Sequence, residues 1–566
     1  MSDEKNKGHG RMTFAEAKQL GIRPGVILFP AGIFAFLIIL GFFDAEAFIT
    51  YLEGVFLGIM VNFGWLINTT VLMFVIFMLV CIFSPIGKIK FGGKDAKPEF
   101  NRWNWWAMSL IAGIGTGIVM WGPVEPLMLS MAPAVGAGVE PGTAGAVMWA
   151  MEKSFLHWTF APYAIYMSAA VVAGYAFYNM KHRFSISTAF APLLGDRVYN
   201  PKFAGMVDAL VVFAIVGGTA GSLGFGLMQV GGGIAYIAGL ATGPVMWGVI
   251  ATIIIMAYNA TSVSGLHRGI KKTSSINAYI FIGLMVMVFI FGPTVFTLNL
   301  GTMASGHFFQ NFLTSITFTF PFHDAANLMG NTWPAGSELW PQWWDMFWFA
   351  DWLSFGPIIG LFLIKLAKGR TIREFVIMSW FTPAVFAMIW FTIFGSLALD
   401  IQFNPQNYPT VDLIGYGTLH AYMQAHGHEM VMLKVLEAMP LANIIRPLML
   451  LIVCLSFITM ADGITSTISF MSVKNSGGVL KEAPIQLKLG WGIILGLTAY
   501  IFVLTGGLQG IQVVKTMAGF PIMFLQGTIV VGFLIYMIKR SMSGKLEKEL
   551  AGALPGEVDA AEDKAD

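Results

Sequence analysis

The sequence predicts an all-α polytopic membrane protein with twelve transmembrane helices, and three observations predict it. Of 566 residues, 56% are hydrophobic and 11% charged, where an average soluble domain carries about 25% charged residues. Apolar runs long enough to cross about 30 Å of hydrocarbon recur along the whole chain. Lys and Arg collect in every second connection between those runs, as cytoplasmic loops require.

The runs lie near 25–44, 56–84, 105–130, 157–180, 204–238, 245–262, 275–298, 346–366, 373–398, 445–470, 489–506 and 515–538. The polar leader before the first run lacks a small-residue cleavage pattern, so that run reads as a retained anchor. Basic clusters follow the second, fourth, sixth, eighth, tenth and twelfth runs, whereas the stretch 299–345 has no Lys or Arg. Both termini are therefore expected in the cytoplasm. The chain divides into an N-terminal tail (1–23), two leading helices with a cytoplasmic loop (24–104) and a group of five spans (105–298). An extracytoplasmic loop with an amphipathic segment (299–345), a second group of five spans (346–538) and a C-terminal tail (539–566) complete it.

Several function classes are disfavoured at once. A net charge of +2 gives no footprint for nucleic acid. Cys81 and Cys454 both fall inside spans, which argues against a disulfide framework. His420, His426, His428 and Glu429 cluster in one external loop, but their spacing matches no standard zinc pattern and no metal is expected. The chain also lacks a Gly-x-Ser-x-Gly elbow, a P-loop and paired cysteines, so no enzyme is indicated.

Trp340, Trp344, Trp348 and Trp352 recur at every fourth position and lead into the eighth span, which carries Asp351. That spacing lines one side of a helix, and ring faces attract cations by roughly 0.5 to 2 kcal/mol each. The outer two tryptophans suit an interfacial belt, whereas Trp348 and Trp352 lie deeper beside a charge. An acidic residue inside a span costs about 2.5 to 3.5 kcal/mol on insertion scales and normally faces a cavity or a partner. Asp351 is thus a candidate for a substrate or proton role, or for a watery vestibule shared with Asp345.

The third span contains glycines 113, 115 and 117 followed by Trp121, Pro123 and Glu125. Each glycine weakens a helix by about 1 kcal/mol relative to alanine. The run reads either as a loosened helix at a binding site or as close packing through Gly113 and Gly117. Trp158, Tyr163 and Tyr166 open the fourth span beside His157, which alone reads as a satisfied structural histidine. The three aromatics suit the other walls of a box or an interfacial belt.

These segments together resemble the betaine/choline/carnitine transporter family. The resemblance rests on Met120-Trp-Gly-Pro-Val-Glu-Pro126, Leu156-His-Trp158, Ser264-Gly-Leu-His-Arg-Gly-Ile270, Lys368-Gly-Arg-Thr-Ile-Arg-Glu-Phe375 and Phe457-Ile-Thr-Met-Ala-Asp462, in the family's order. It implies a secondary transporter of the inner membrane with a LeuT-like fold: two leading helices, then two inverted five-helix repeats at spans three to seven and eight to twelve. It also implies a substrate site between spans three, four and eight, a homotrimer, and Na+ or H+ as coupling ion with no other cofactor.

Carried over by position, the aromatic box would be Trp158, Tyr163, Tyr166 and Trp352, with Trp348, Asp351 and Phe355 beside it. Ala112, Gly113, Ile114, Gly115, Gly117, Thr459 and Met460 would serve the ion or the gate. Two departures matter. Asp351 stands where many members have an aromatic residue, which favours a cationic substrate such as choline over a zwitterion (glycine betaine, carnitine or a sulfonate). Met460 follows Thr459 where hydroxyl oxygens are usual, and thioether sulfur is a poor ligand for sodium; sodium-independent exchange is the alternative. A ligand sensor that does not transport is the remote rival, and it would need a signalling domain for which the two tails are too short.

Overall fold

The computed structural model describes residues 13–553, apart from 115–116, 241–242, 265, 322–338 and 475–482, together with Pro555. Its principal helices are α1 (Pro24–Phe43), α2 (Ala45–Phe83), α3 (Arg102–Ile114), α4 (Gly117–Met131) and α5 (Ala144–Trp158). Next come α6 (Phe160–Tyr178), α7 (Pro201–Ala238), α8 (Pro244–Ser264), α9 (Leu266–Phe291) and α10 (Thr294–Ile316). The second half holds α11 (Phe347–Ala367), α12 (Thr382–Phe403), α13 (Ala442–Met471), α14 (Ile485–Met542) and the short α15 (Lys545–Ala551). Two isolated bridges, Ile22 with Val473 and Lys90 with Thr371, are the only strand-like pairings among the described residues.

Nine helical stretches among the described residues are long and apolar enough to cross a membrane, ten if one bent pair counts as a span. The expected count of twelve is not reproduced, for three local reasons. The third expected span is carried by α3 and α4, of 13 and 15 residues, each too short to cross alone. The sixth has a short apolar stretch, Pro244–Asn259. The seventh meets Gly292-Pro293, where the chain turns by 110° into α10; proline there cannot continue the preceding helix. The fourth span starts at Ala144 rather than 157, because Lys153 is buried in an ion pair instead of marking a loop.

α6 and α11 are buried along nearly their whole length, as helices that are apolar on every side must be. They lie against each other, and α14 packs along α7 and α11 while α12 packs on α4. The α11–α14 contact is backbone to backbone: a Cβ on Gly519 would sit 1.8 Å from the Ala350 carbonyl oxygen.

Candidate substrate site

The box begins at a break between α5 and α6. Thr159 leaves helical geometry at φ −118, ψ −113, and Pro162 has no N–H to offer the Trp158 carbonyl one turn earlier. The break turns Trp158, Tyr163 and Tyr166 toward one side chain of α11. Ring centroids lie 5.6 Å from Trp158 to Trp352, 5.8 Å from Tyr163 and 5.1 Å from Tyr166. All four rings are at most 5% exposed. At these separations the rings rest on one another, so seating an ammonium group requires Trp352 to part from at least one of them.

Further rings extend the wall. Trp348 lies 4.7 Å from Trp158 and 5.1 Å from Trp121. Neither the Trp348 nor the Trp352 indole nitrogen has a hydrogen-bond partner among the described residues. Gly117 makes the room: a Cβ there would come within 2.7 Å of Trp158 Cη2. The outer tryptophans do not form a lipid-facing belt. Trp340 is buried on Trp149 at 4.8 Å, and Trp344 stands 6.0 Å from Trp121.

Asp351 corrects the expectation of a free counter-ion. Its two carboxylate oxygens lie 2.7 and 2.8 Å from the Lys515 ammonium of α14, with both side chains buried. Lys515 also sits 4.6 Å from the Phe225 ring and 5.6 Å from Phe355. Gly221 lets it in, since a Cβ there would lie 2.5 Å from Lys515 Cγ. The negative charge that favoured a cationic substrate is already neutralised within the protein.

A second buried cluster was not anticipated. His157 Nδ1 lies 2.5 Å from Glu125 Oε1, and its Nε2 lies 2.6 Å from Asp345 Oδ1. The Trp158 indole donates to Glu125 Oε2 at 2.6 Å, and Lys153 Nζ donates to Asp345 Oδ2 at 2.7 Å. The sequence marks Glu125, His157 and Asp345 only singly, and Asp345 joins His157 and Lys153 rather than sharing a vestibule with Asp351; Lys153 and His157 stand four apart, and hence on one helix face.

Of the expected ion or gating residues, Gly115 lies outside the described residues, as do the side chains of Ala112, Gly113, Ile114 and Thr459; Met460 is half-buried in the core of α13. Among the described residues, no three His, Cys, Asp or Glu side chains are placed to hold a metal. In the segment between α12 and α13, burial lowers the pKa of His420 and of His428, and His420 lowers His428 further. His428 stands 6.2 Å from Trp121.

The model of the betaine/carnitine/choline family of transporters matches residues 25–542. The chain belongs to that family. Its relatives within it include a probable glycine betaine transporter of Desulfitobacterium hafniense, 32% identical over 89% of this chain and 95% of that one. The glycine betaine transporter OpuD of Bacillus subtilis is 33% identical over 88% of each chain. The ectoine/hydroxyectoine transporter of Virgibacillus pantothenticus is 29% identical over 91% of this chain and 96% of its own. Membership of the betaine/carnitine/choline family makes the chain a multi-pass secondary transporter and not an enzyme.

Proposed function

We propose that this transporter imports a small zwitterion of the glycine betaine class by alternating access, with the cationic head held among Trp158, Tyr163, Tyr166 and Trp352. The observation that carries the proposal is the Asp351–Lys515 pair. A carboxylate with a buried ammonium on both oxygens offers a cation little and repels a zwitterion little. The unpartnered indole N–H groups of Trp348 and Trp352 are donors that suit the carboxylate end of such a substrate. The relatives named for glycine betaine and for ectoine, both zwitterions, support the same choice over choline.

In this proposal the box joins two repeats, residues 105–298 and 346–538, because α6 belongs to the first and α11 to the second. The basic residues of alternate loops support cytoplasmic termini, and the bacterial relatives support a place in the inner membrane.

The test is counterflow in proteoliposomes. Vesicles loaded with unlabelled glycine betaine should take up labelled glycine betaine, and equal loading with choline should drive labelled choline poorly. Choline counterflow exceeding that of glycine betaine would overturn the proposal and return the site to a cation.

A further inference from the structure

Four ionisable side chains run unbroken inward from Lys153 to the edge of the aromatic box. The order is Lys153, Asp345, His157, Glu125, with the Trp158 indole at the inner end. Their exposures are 1%, 0%, 0% and 0%. Ionisable groups within the membrane are costly and usually functional. These differ from a self-contained ion pair in one respect: the charge does not close without a proton. With two carboxylates and one ammonium fixed, a neutral imidazole leaves the chain at −1, and an imidazolium brings it to zero.

The geometry makes the same demand. Each ring nitrogen of His157 faces a carboxylate oxygen, at 2.5 and 2.6 Å. A neutral imidazole has one N–H donor, so its other nitrogen would set a lone pair against a carboxylate lone pair. Two contacts this short require either imidazolium or a proton on one of the acids.

We propose that this chain is the proton-coupling site of the transporter, with His157 at its centre and Glu125 as its link to the substrate. The inference rests on the assignment of the aromatic box as the substrate site. A proton enters from water on the side to which the protein is open and is shared among His157 and the oxygens of Glu125 and Asp345. It leaves to water on the other side, and only bonds to hydrogen change. Glu125 holds the Trp158 indole at 2.6 Å, and Trp158 faces Trp352 at 5.6 Å. Charge on the chain therefore sets the hold on one wall of the box.

The neighbouring elements leave His157 to these partners among the described residues. α4 supplies Glu125, the turn before α11 supplies Asp345, and α5 itself supplies Lys153 and Glu152. Glu152 turns to His307 of α10 at 2.7 Å. From α12, Asp400 is bonded to Asn404 and Tyr408. α6 contributes the neutral Tyr163 and Tyr166, and His428 faces Trp121 instead.

The experiment uses the full chain in proteoliposomes, in sodium-free buffer with the membrane potential clamped at zero. At one proton per zwitterion, a gradient of about one pH unit sustains roughly tenfold accumulation of glycine betaine. Accumulation should follow that gradient and collapse with a protonophore, and substrate entering without a gradient should alkalinise the outer medium. His157→Gln should lose the tenfold accumulation and the proton flux yet retain glycine betaine counterflow, which also shows that it is folded. Accumulation by the wild type on a sodium gradient alone, or gradient-driven accumulation that survives in His157→Gln, would overturn the proposal. If His157→Gln does not insert, Asp345→Asn is read the same way, and wild-type proton flux decides by itself. Wild-type counterflow with accumulation driven only by sodium overturns the proton site alone; absence of counterflow overturns the substrate assignment with it.

Discussion

Two buried charge clusters flank the same aromatic box, and they are built on opposite principles. Asp351 and Lys515 form a closed pair, one acid against one base, each satisfying the other. Glu125, His157, Asp345 and Lys153 form an open chain whose balance depends on one titratable ring. The pair is suited to set what the box accepts, because its two opposite charges face each other beside Trp352. The chain is suited to change state. In the proposals above, buried charge serves selectivity at one wall and switching at the other.

The sharpest way to break this comparison is to open the closed pair. Lys515→Met leaves Asp351 buried and alone, which should cost about 3 to 5 kcal/mol of stability, seen as an earlier thermal transition in detergent. Glycine betaine uptake should be lost. Replacing both partners, as Lys515→Met with Asp351→Leu, should restore most of the stability, because an apolar pair of similar volume replaces the ions at little cost. A double variant no more stable than the single one would show that the pair is not self-contained.

A smaller effect tests where both clusters meet the box. Gly117→Ala forces a methyl toward Trp158 and should cost about 1 to 3 kcal/mol with weaker glycine betaine binding. Gly32→Ala in α1, where a Cβ meets nothing within 4 Å, is the control and should be neutral. A Gly117→Ala variant as neutral as Gly32→Ala would mean that Trp158 has room to adjust. The smallest change sharpens the box alone: Trp352→Phe keeps an aromatic ring but weakens the cation contact, by roughly 0.5 to 2 kcal/mol, or about twofold to thirtyfold in affinity read by binding titration. Unchanged affinity would remove Trp352 from the ammonium site.

The sequence made the box legible because its parts are local. Trp158, Tyr163 and Tyr166 stand within nine consecutive residues, and Trp352 marks itself by its spacing from Trp348. The charge partners were not legible because they are distant: Lys153 and Asp345 are 192 residues apart, and Asp351 and Lys515 are 164 apart. The same blindness misplaced the start of the fourth span. Lys153 reads as the edge of a loop until Asp345 is known to cancel it. Gly292-Pro293 is a different case, since the signal for a turn was present but lay inside an apolar run that suggested continuity. The α14 helix shows the converse, running as 58 helical residues through the eleventh and twelfth expected spans.

That turn has a mechanical consequence. Beyond it, α10 lies across the flank of α5 and also packs on α12. It is fastened to α5 by His307 on Glu152, by Asn311 on Glu152 and by the Lys153 ammonium on the Ser315 carbonyl. A splint laid over two beams makes a plate of them. α5 is not free to slide independently of α12, so any opening motion should carry the two together, with His157 riding on α5.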